Sequence, residues 1–262
     1  MKDLTAKDRV GIALIAFSLL AVSATFLTLE RLADRAQRMD RADRDPTVVG
    51  TSRATAILLD VSDPLSPEQA AGVDDRVRAL EEFEIHRGEL VSLCTVGRYV
   101  DTDVRRWFCA RYPGRAANPV FETPRRIAAR CDSLFSLPLE RALKRALEPA
   151  RSGRTALAAS IRETAEFEEF VPVIPIRRLV VVSDLMENTN DLSFYRTDVR
   201  RELPPSPSWL REHRANLRGV VVEVLEVPRP GVSVAERSAL RTFWREYFAA
   251  CGASSVRFGE LP

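Results

Sequence analysis

Polarity along the chain falls into three regimes. Residues 10 to 29, VGIALIAFSLLAVSATFLTL, run without a charge and are bounded by Arg9 on one side and by Glu30 and Arg31 on the other. A helix of that length rises about 1.5 Å per residue and spans about 30 Å, the hydrocarbon thickness of a bilayer. A soluble core helix this long normally carries a polar stripe, so the run predicts one transmembrane helix after a short tail at 1–9. Val22 and Ala24 offer a signal-peptidase site as the alternative, but the apolar run continues through Phe26, Leu27 and Leu29, which suits an uncleaved anchor. Residues 30 to 46, ERLADRAQRMDRADRDP, are charged nearly all round. They predict a solvated helical stalk ended by Pro46, with a linker reaching residue 52.

From residue 53 the pattern alternates between short apolar runs and longer amphipathic ones. ATAILLD, ELVSLCTV (89–96), RRLVVVSDL (177–185), GVVVEVLEV (219–227) and SVRF read as strands. Helical spacing appears from Pro67 through Ala71, Val77 and Leu80, over 122–149 with an interruption at Pro138, over 154–170, near 207–217 and over 233–250. The apolar run 105–112 sits a polar stretch away from 89–96, and the two together suggest a hairpin. Strands alternating with helices predict an α/β domain over 53–262. Its sheet is expected to be doubly wound and mostly parallel, with one antiparallel edge strand and helices on both faces.

Composition narrows the function classes. Lys and Arg total 39 against 37 Asp and Glu, a net charge of +2, so no global field favours nucleic acid. Lysine occurs only at positions 2, 7 and 144, and the arginine excess is given no functional weight. His86 and His213 lie far apart, and Cys94, Cys109, Cys131 and Cys251 show no paired spacing, which argues against zinc. Cys94 and Cys251 read as buried thiols, while Cys109 and Cys131 flank one insertion and would form a disulfide only outside the cytosol. Lys2, Lys7 and Arg9 favour a cytoplasmic amino-terminal tail, and the arginines at 31, 35, 38, 41 and 44 oppose it. Long domains translocate with limited regard to charge, so the domain is expected to face outward, in a periplasm or outside the cell.

Three strand-to-helix loops carry oxygen ligands: Asp60, Ser62, Asp63 and Ser66 after the first run, Ser152 and Thr155 before the helix at 155, and Ser183 and Asp184 after LVVV. In open α/β sheets such loops converge beyond the carboxyl ends of the strands, where ligands bind. A hard cation such as Mg²⁺ takes octahedral oxygen coordination. The bland alternative is capping: Ser62 or Asp63 for the helix at Pro67, and Thr155 for its own helix.

The succession DVSDPLS, SGRTAL, VVVSDL resembles the von Willebrand factor A (integrin I-like) domain and its metal-ion-dependent adhesion site, over residues 53–262. That family writes its site as DxSxS, a distant Thr and a more distant Asp. The resemblance implies Asp60, Ser62, Thr155 and Asp184 as the metal-site residues, with Ser62 and Thr155 binding directly and the two acids acting largely through water. The implied ion is Mg²⁺, or Mn²⁺ or Ca²⁺ in its place, and the implied chemistry is capture of a partner's carboxylate. Two positions depart from the pattern. Pro64 stands where the second Ser hydroxyl belongs and offers neither a side-chain oxygen nor an N–H, with Ser66 and Asp63 as possible substitutes. Leu185 replaces the Gly that often follows the last Asp.

The sequence thus predicts a membrane-tethered protein-binding module. Its alternative is a metal-independent scaffold in a bacterial envelope or membrane assembly, favoured by Pro64. A third reading, an aspartate phosphotransferase using Asp60, lacks the second acid that such enzymes carry two positions on, where this chain has Ser62. No GxxxxGK[ST] or GxGxxG loop and no Ser-His-Asp set is present, so no enzyme is expected.

Overall fold

The computed structural model describes residues 52–86, 89–96, 123–148, 153–167 and 170–261. The chain divides into two units, Met1–Val48 and Val49–Pro262, and the first lies wholly outside the described residues, as do the expected membrane segment at 10–29 and Cys109. Among the described residues no helix is long and apolar enough to cross a membrane.

The element order is β1 (Arg53–Asp60), α1 (Pro67–Ala79, continued by a π turn over Leu80–Glu84), β2 (Leu90–Val96), α2 (Pro124–Cys131), a π turn over Asp132–Ser136, and α3 (Leu137–Ala146). It continues with α4 (Leu157–Ala165), β3 (Ile176–Ser183), a 3₁₀ turn over Val199–Glu202, α5 (Pro207–His213), β4 (Val220–Glu226), α6 (Val234–Ala250) and β5 (Ser255–Glu260). The five strands form one sheet in the order β2-β1-β3-β4-β5, and every neighbouring pair is parallel.

The expected antiparallel edge strand is therefore corrected: none is present among the described residues. At the β2 edge the chain runs parallel to β1, from Ala54 opposite Leu90 to Asp60 opposite Val96. The run 105–112 that suggested a hairpin lies outside the described residues. The α1 crossover is what fixes β2 as parallel.

β1 is buried from Ala54 through Asp60, because helices cover both faces of the sheet. Its period of two deals successive side chains to two cores. Ala54, Ala56 and Leu58 join Leu157 and Ile161 of α4 and the aromatic face of α6, Phe243, Trp244, Tyr247 and Phe248. Ile57 and Leu59 meet Val73 and Val77 of α1, Phe135, and Leu139 and Leu143 of α3.

Two local expectations shift. Pro138 does not break its helix, since it falls in the first turn of α3, directly after the π turn, where its missing N–H is not needed. Helix α4 starts only at Leu157 because Thr155 is drawn into a β-bridge with Asn188. Strand order reverses around β1: the chain leaves it for β2 on one side, while β3 lies on the other. Such a switch point opens a crevice at the carboxyl ends of the two strands, here at Asp60 and at Ser183 and Asp184.

Candidate functional site

Asp60 ends β1 and is only 7% exposed. Its Oδ1 accepts hydrogen bonds from the Ser62 N–H (3.1 Å) and the Ser62 hydroxyl (2.6 Å), and its Oδ2 accepts from the Ser183 hydroxyl (2.7 Å). The Thr155 hydroxyl donates to the Ser62 hydroxyl at 2.8 Å. Thr155 is held in place by a pair of backbone bonds with Asn188, of 3.1 and 2.8 Å. Segments from three loops thus meet in one hydroxyl-carboxylate network. Burial, reinforced by the negative charge of Asp184, raises the Asp60 pKa to about 6 against the opposing pull of the Ser62 and Ser183 hydrogen bonds.

A second cluster stands beside the first. Arg229, in the loop after β4, places Nη1 2.5 Å from Asp63 Oδ2 and 2.6 Å from Asp184 Oδ2. The Tyr195 hydroxyl donates to Asp63 Oδ2 at 3.0 Å, Arg229 Nη1 donates to that hydroxyl in turn, and the guanidinium lies 4.8 Å from the Tyr195 ring centroid. Burial works against the Arg229 charge, but hydrogen bonds to Asp184 and Asp63 outweigh it and raise its pKa. Burial likewise raises the Asp184 pKa, opposed by the Met186 N–H and by Arg229. The two clusters flank an open cleft of about 330 Å³ lined in part by Asp60, Ser62, Asp63, Pro64, Asp184 and Arg229.

The turn after β3 is built to present Asp184. Leu185 adopts a left-handed backbone, φ 64°, where a glycine would sit without strain. The Ser183 hydroxyl accepts from the Leu185 N–H (2.8 Å), Asp184 Oδ1 accepts from the Met186 N–H (3.0 Å), and the Trp244 indole donates to the Leu185 carbonyl (2.9 Å). Two residues further on, Glu187 is fully buried and its Oε2 accepts from the Ala158 N–H at 3.1 Å. Helix α4 has no side-chain cap at Ala156, so Glu187 from a distant loop supplies the acceptor that its first turn needs. Desolvation by burial raises the Glu187 pKa to about 8.

The structure therefore brings Asp60, Ser62 and Thr155 together and sets Asp184 and Asp63 on the same cleft. It separates Ser66, whose hydroxyl accepts from the Gln69 N–H and donates to Glu68 while Gln69 caps in return, a capping box for α1. Capping thus accounts for Ser66, but not for Thr155, which spends its hydroxyl on Ser62. Arg229 and Glu187 were not singled out by the sequence. Arg229 is 166 positions from Asp63, and nothing local distinguishes it from other arginines.

The hydroxyls of Ser62 and Thr155 lie close to the ~3.0 Å expected between adjacent vertices of an octahedron with ~2.1 Å bonds. The rest of the site does not fit a divalent ion. Pro64 supplies no oxygen, both oxygens of Asp60 are engaged by protein donors, and Asp184 and Asp63 are bridged by a guanidinium. Among the described residues no group of three or more His, Cys, Asp or Glu side chains is placed to hold a metal.

No family model matches the chain, and no curated protein matches it. Among solved structures it is similar to the crystal structure of the human COPII-coat protein Sec24c, at 12% identity and a TM-score of 0.42. The match covers 80% of this chain and 29% of that one, and at that score it carries no argument about fold or function. The parallel sheet itself is compatible with a von Willebrand factor A-like fold.

Proposed function

We propose that the chain is a membrane-tethered protein-binding module of the von Willebrand factor A type, anchored by residues 10–29 with its domain facing outward. It engages a protein partner at the cleft beyond β1 and β3. One observation carries the reading: Asp60 and Ser62 on one loop and Thr155, 93 positions beyond Ser62, meet in one hydrogen-bonded network at the switch point of a parallel sheet, beside an open cleft. Pro64 and Pro230 are exposed at its rim, and Tyr195, 45% exposed, stacks on Arg229 near it, so the recognition surface is mixed aromatic, charged and apolar. The carboxylate of Asp60 is buried with both oxygens engaged, which favours a positioning role over attack on a substrate.

The scaffold alternative docks through helices and loops away from the cleft, and the exposed side chains of Phe83 (77%) and Val173 (83%) favour it. Photo-crosslinking residues placed at positions 64 and 230 of the full chain in intact cells are expected to give a discrete protein adduct. Parallel positions at 83 and 173 are expected to give none. Adducts from 83 or 173 with none from the cleft rim would transfer the function to the scaffold surface.

A further inference from the structure

We infer that Arg229 is a resident cation: its guanidinium stands where the von Willebrand factor A-type site would hold a divalent ion, and the site works without metal. This rests on reading the cleft as a site of that type. Its grounds are local. Nη1 of Arg229 touches the carboxylate oxygens of both Asp184, the residue in the last metal-site position, and Asp63, one of the possible substitutes for the hydroxyl missing at Pro64. A metal ion at that point would face the guanidinium charge at contact distance, beside an Asp184 side chain only 14% exposed. The ring of Tyr195 holds the guanidinium plane from a third side, so its place is fixed by geometry as well as by charge.

The hydroxyl half of the site is closed in the same sense. Thr155 donates to Ser62, Ser62 donates to Asp60, and Ser183 donates to the other oxygen of Asp60 and accepts from Leu185 N–H, a chain of bonds complete without an ion. The consequence for binding is specific. A divalent ion held by two acids keeps an open coordination position to offer a partner's carboxylate, whereas one guanidinium shared by Asp63 and Asp184 is already engaged and leaves the trio one negative charge in excess. Carboxylate capture through a metal is thus replaced by contacts to a cleft whose acids outnumber its one arginine, and partner binding is insensitive to chelators.

The test is a titration of the full chain, kept in detergent, with Mn²⁺ alone, followed by electron paramagnetic resonance. Wild type is expected to leave Mn²⁺ free at stoichiometric concentrations. Arg229→Ala, and Arg229→Gln as a variant that keeps a neutral hydrogen-bonding stem, are expected to bind one Mn²⁺ at least tenfold more tightly. Adding Pro64→Ser to Arg229→Ala should strengthen that binding, and adding Ser62→Ala should abolish it. Near-ultraviolet circular dichroism from Trp209 and Trp244 verifies the fold of each variant. Wild type binding Mn²⁺ as tightly as the Arg229 variants would overturn the inference and leave the site's type standing. Binding that appears only in Pro64→Ser/Arg229→Ala would make proline the barrier and overturn the role of Arg229. No binding in any folded variant, the double variant included, would overturn both this inference and the reading of the cleft.

Discussion

At the scale of single residues, Glu187 carries the sharpest consequence. It is wholly buried, shares its surroundings with the negative charges of Asp60 and Asp191, and holds its proton up to about pH 8. In the unfolded chain it would lose that proton near pH 4.5. Between those values the native state binds the extra proton, so stability falls as pH rises, is fully present below pH 4.5 and is lost as pH passes 8. Glu187→Gln offers Ala158 N–H an amide oxygen in place of the carboxyl oxygen and removes the titration. The variant is expected to melt above wild type at pH 8 and close to it at pH 5, by a Tm difference on the order of 5 °C. Thermal circular dichroism at the two pH values checks this; parallel slopes for the two proteins would show that Glu187 is not the titrating group.

At the scale of elements, each loop of the site is fixed by the helix or strand that follows or precedes it. Helix α1 begins at a capping box, and Ser66→Ala is expected to cost about 1 kcal/mol in chemical denaturation. Its effect on Mn²⁺ binding by Arg229→Ala should be nil, since the Ser66 hydroxyl serves the helix. The turn after β3 is the converse case. A left-handed non-glycine residue costs about 1–2 kcal/mol, and burial of the Leu185 side chain, worth about 1.5–3 kcal/mol, together with the Trp244 bond to its carbonyl, offsets that cost. The glycine missing from the sequence pattern is therefore replaced by packing against α6.

This also explains what the sequence made legible. A strand buried on both faces must be continuous and apolar, so β1 and the carboxyl-terminal half of β3 stand out, and oxygens placed at their ends mark Asp60, Ser62 and Asp184. Contacts between loops that are not neighbours in sequence leave no such trace. Glu187 meets its helix 29 residues away and Arg229 meets Asp184 45 residues away, each with an ordinary residue type at an ordinary spacing. The parallel direction was legible in the alternation of strands and helices; only the expected antiparallel edge strand is absent among the described residues.

At the scale of the whole molecule, the proposal joins an uncharged run, an arginine-rich stalk and an α/β domain, and their order makes orientation testable. The stalk offers trypsin sites at Arg31, Arg35, Arg38, Arg41 and Arg44, all between the run at 10–29 and the first strand. Several arginines of the domain are instead tied into ion pairs, among them Arg76 with Glu84 and Glu223, Arg178 with Glu84, and Arg241 with Glu226 and Glu260. Folded backbone resists proteolysis, so arginines 31 to 44 should be cut ahead of those held in the strands and helices described. With an outward-facing domain, trypsin added to intact cells, or to spheroplasts where an outer membrane intervenes, releases a soluble fragment beginning near Asp45. Membranes that yield this fragment only after the cytoplasmic side is opened would place the domain inside. A fragment that stays with the washed membranes after cleavage between residues 31 and 44 would mean that the domain has a membrane contact of its own, beyond the apolar run at 10–29.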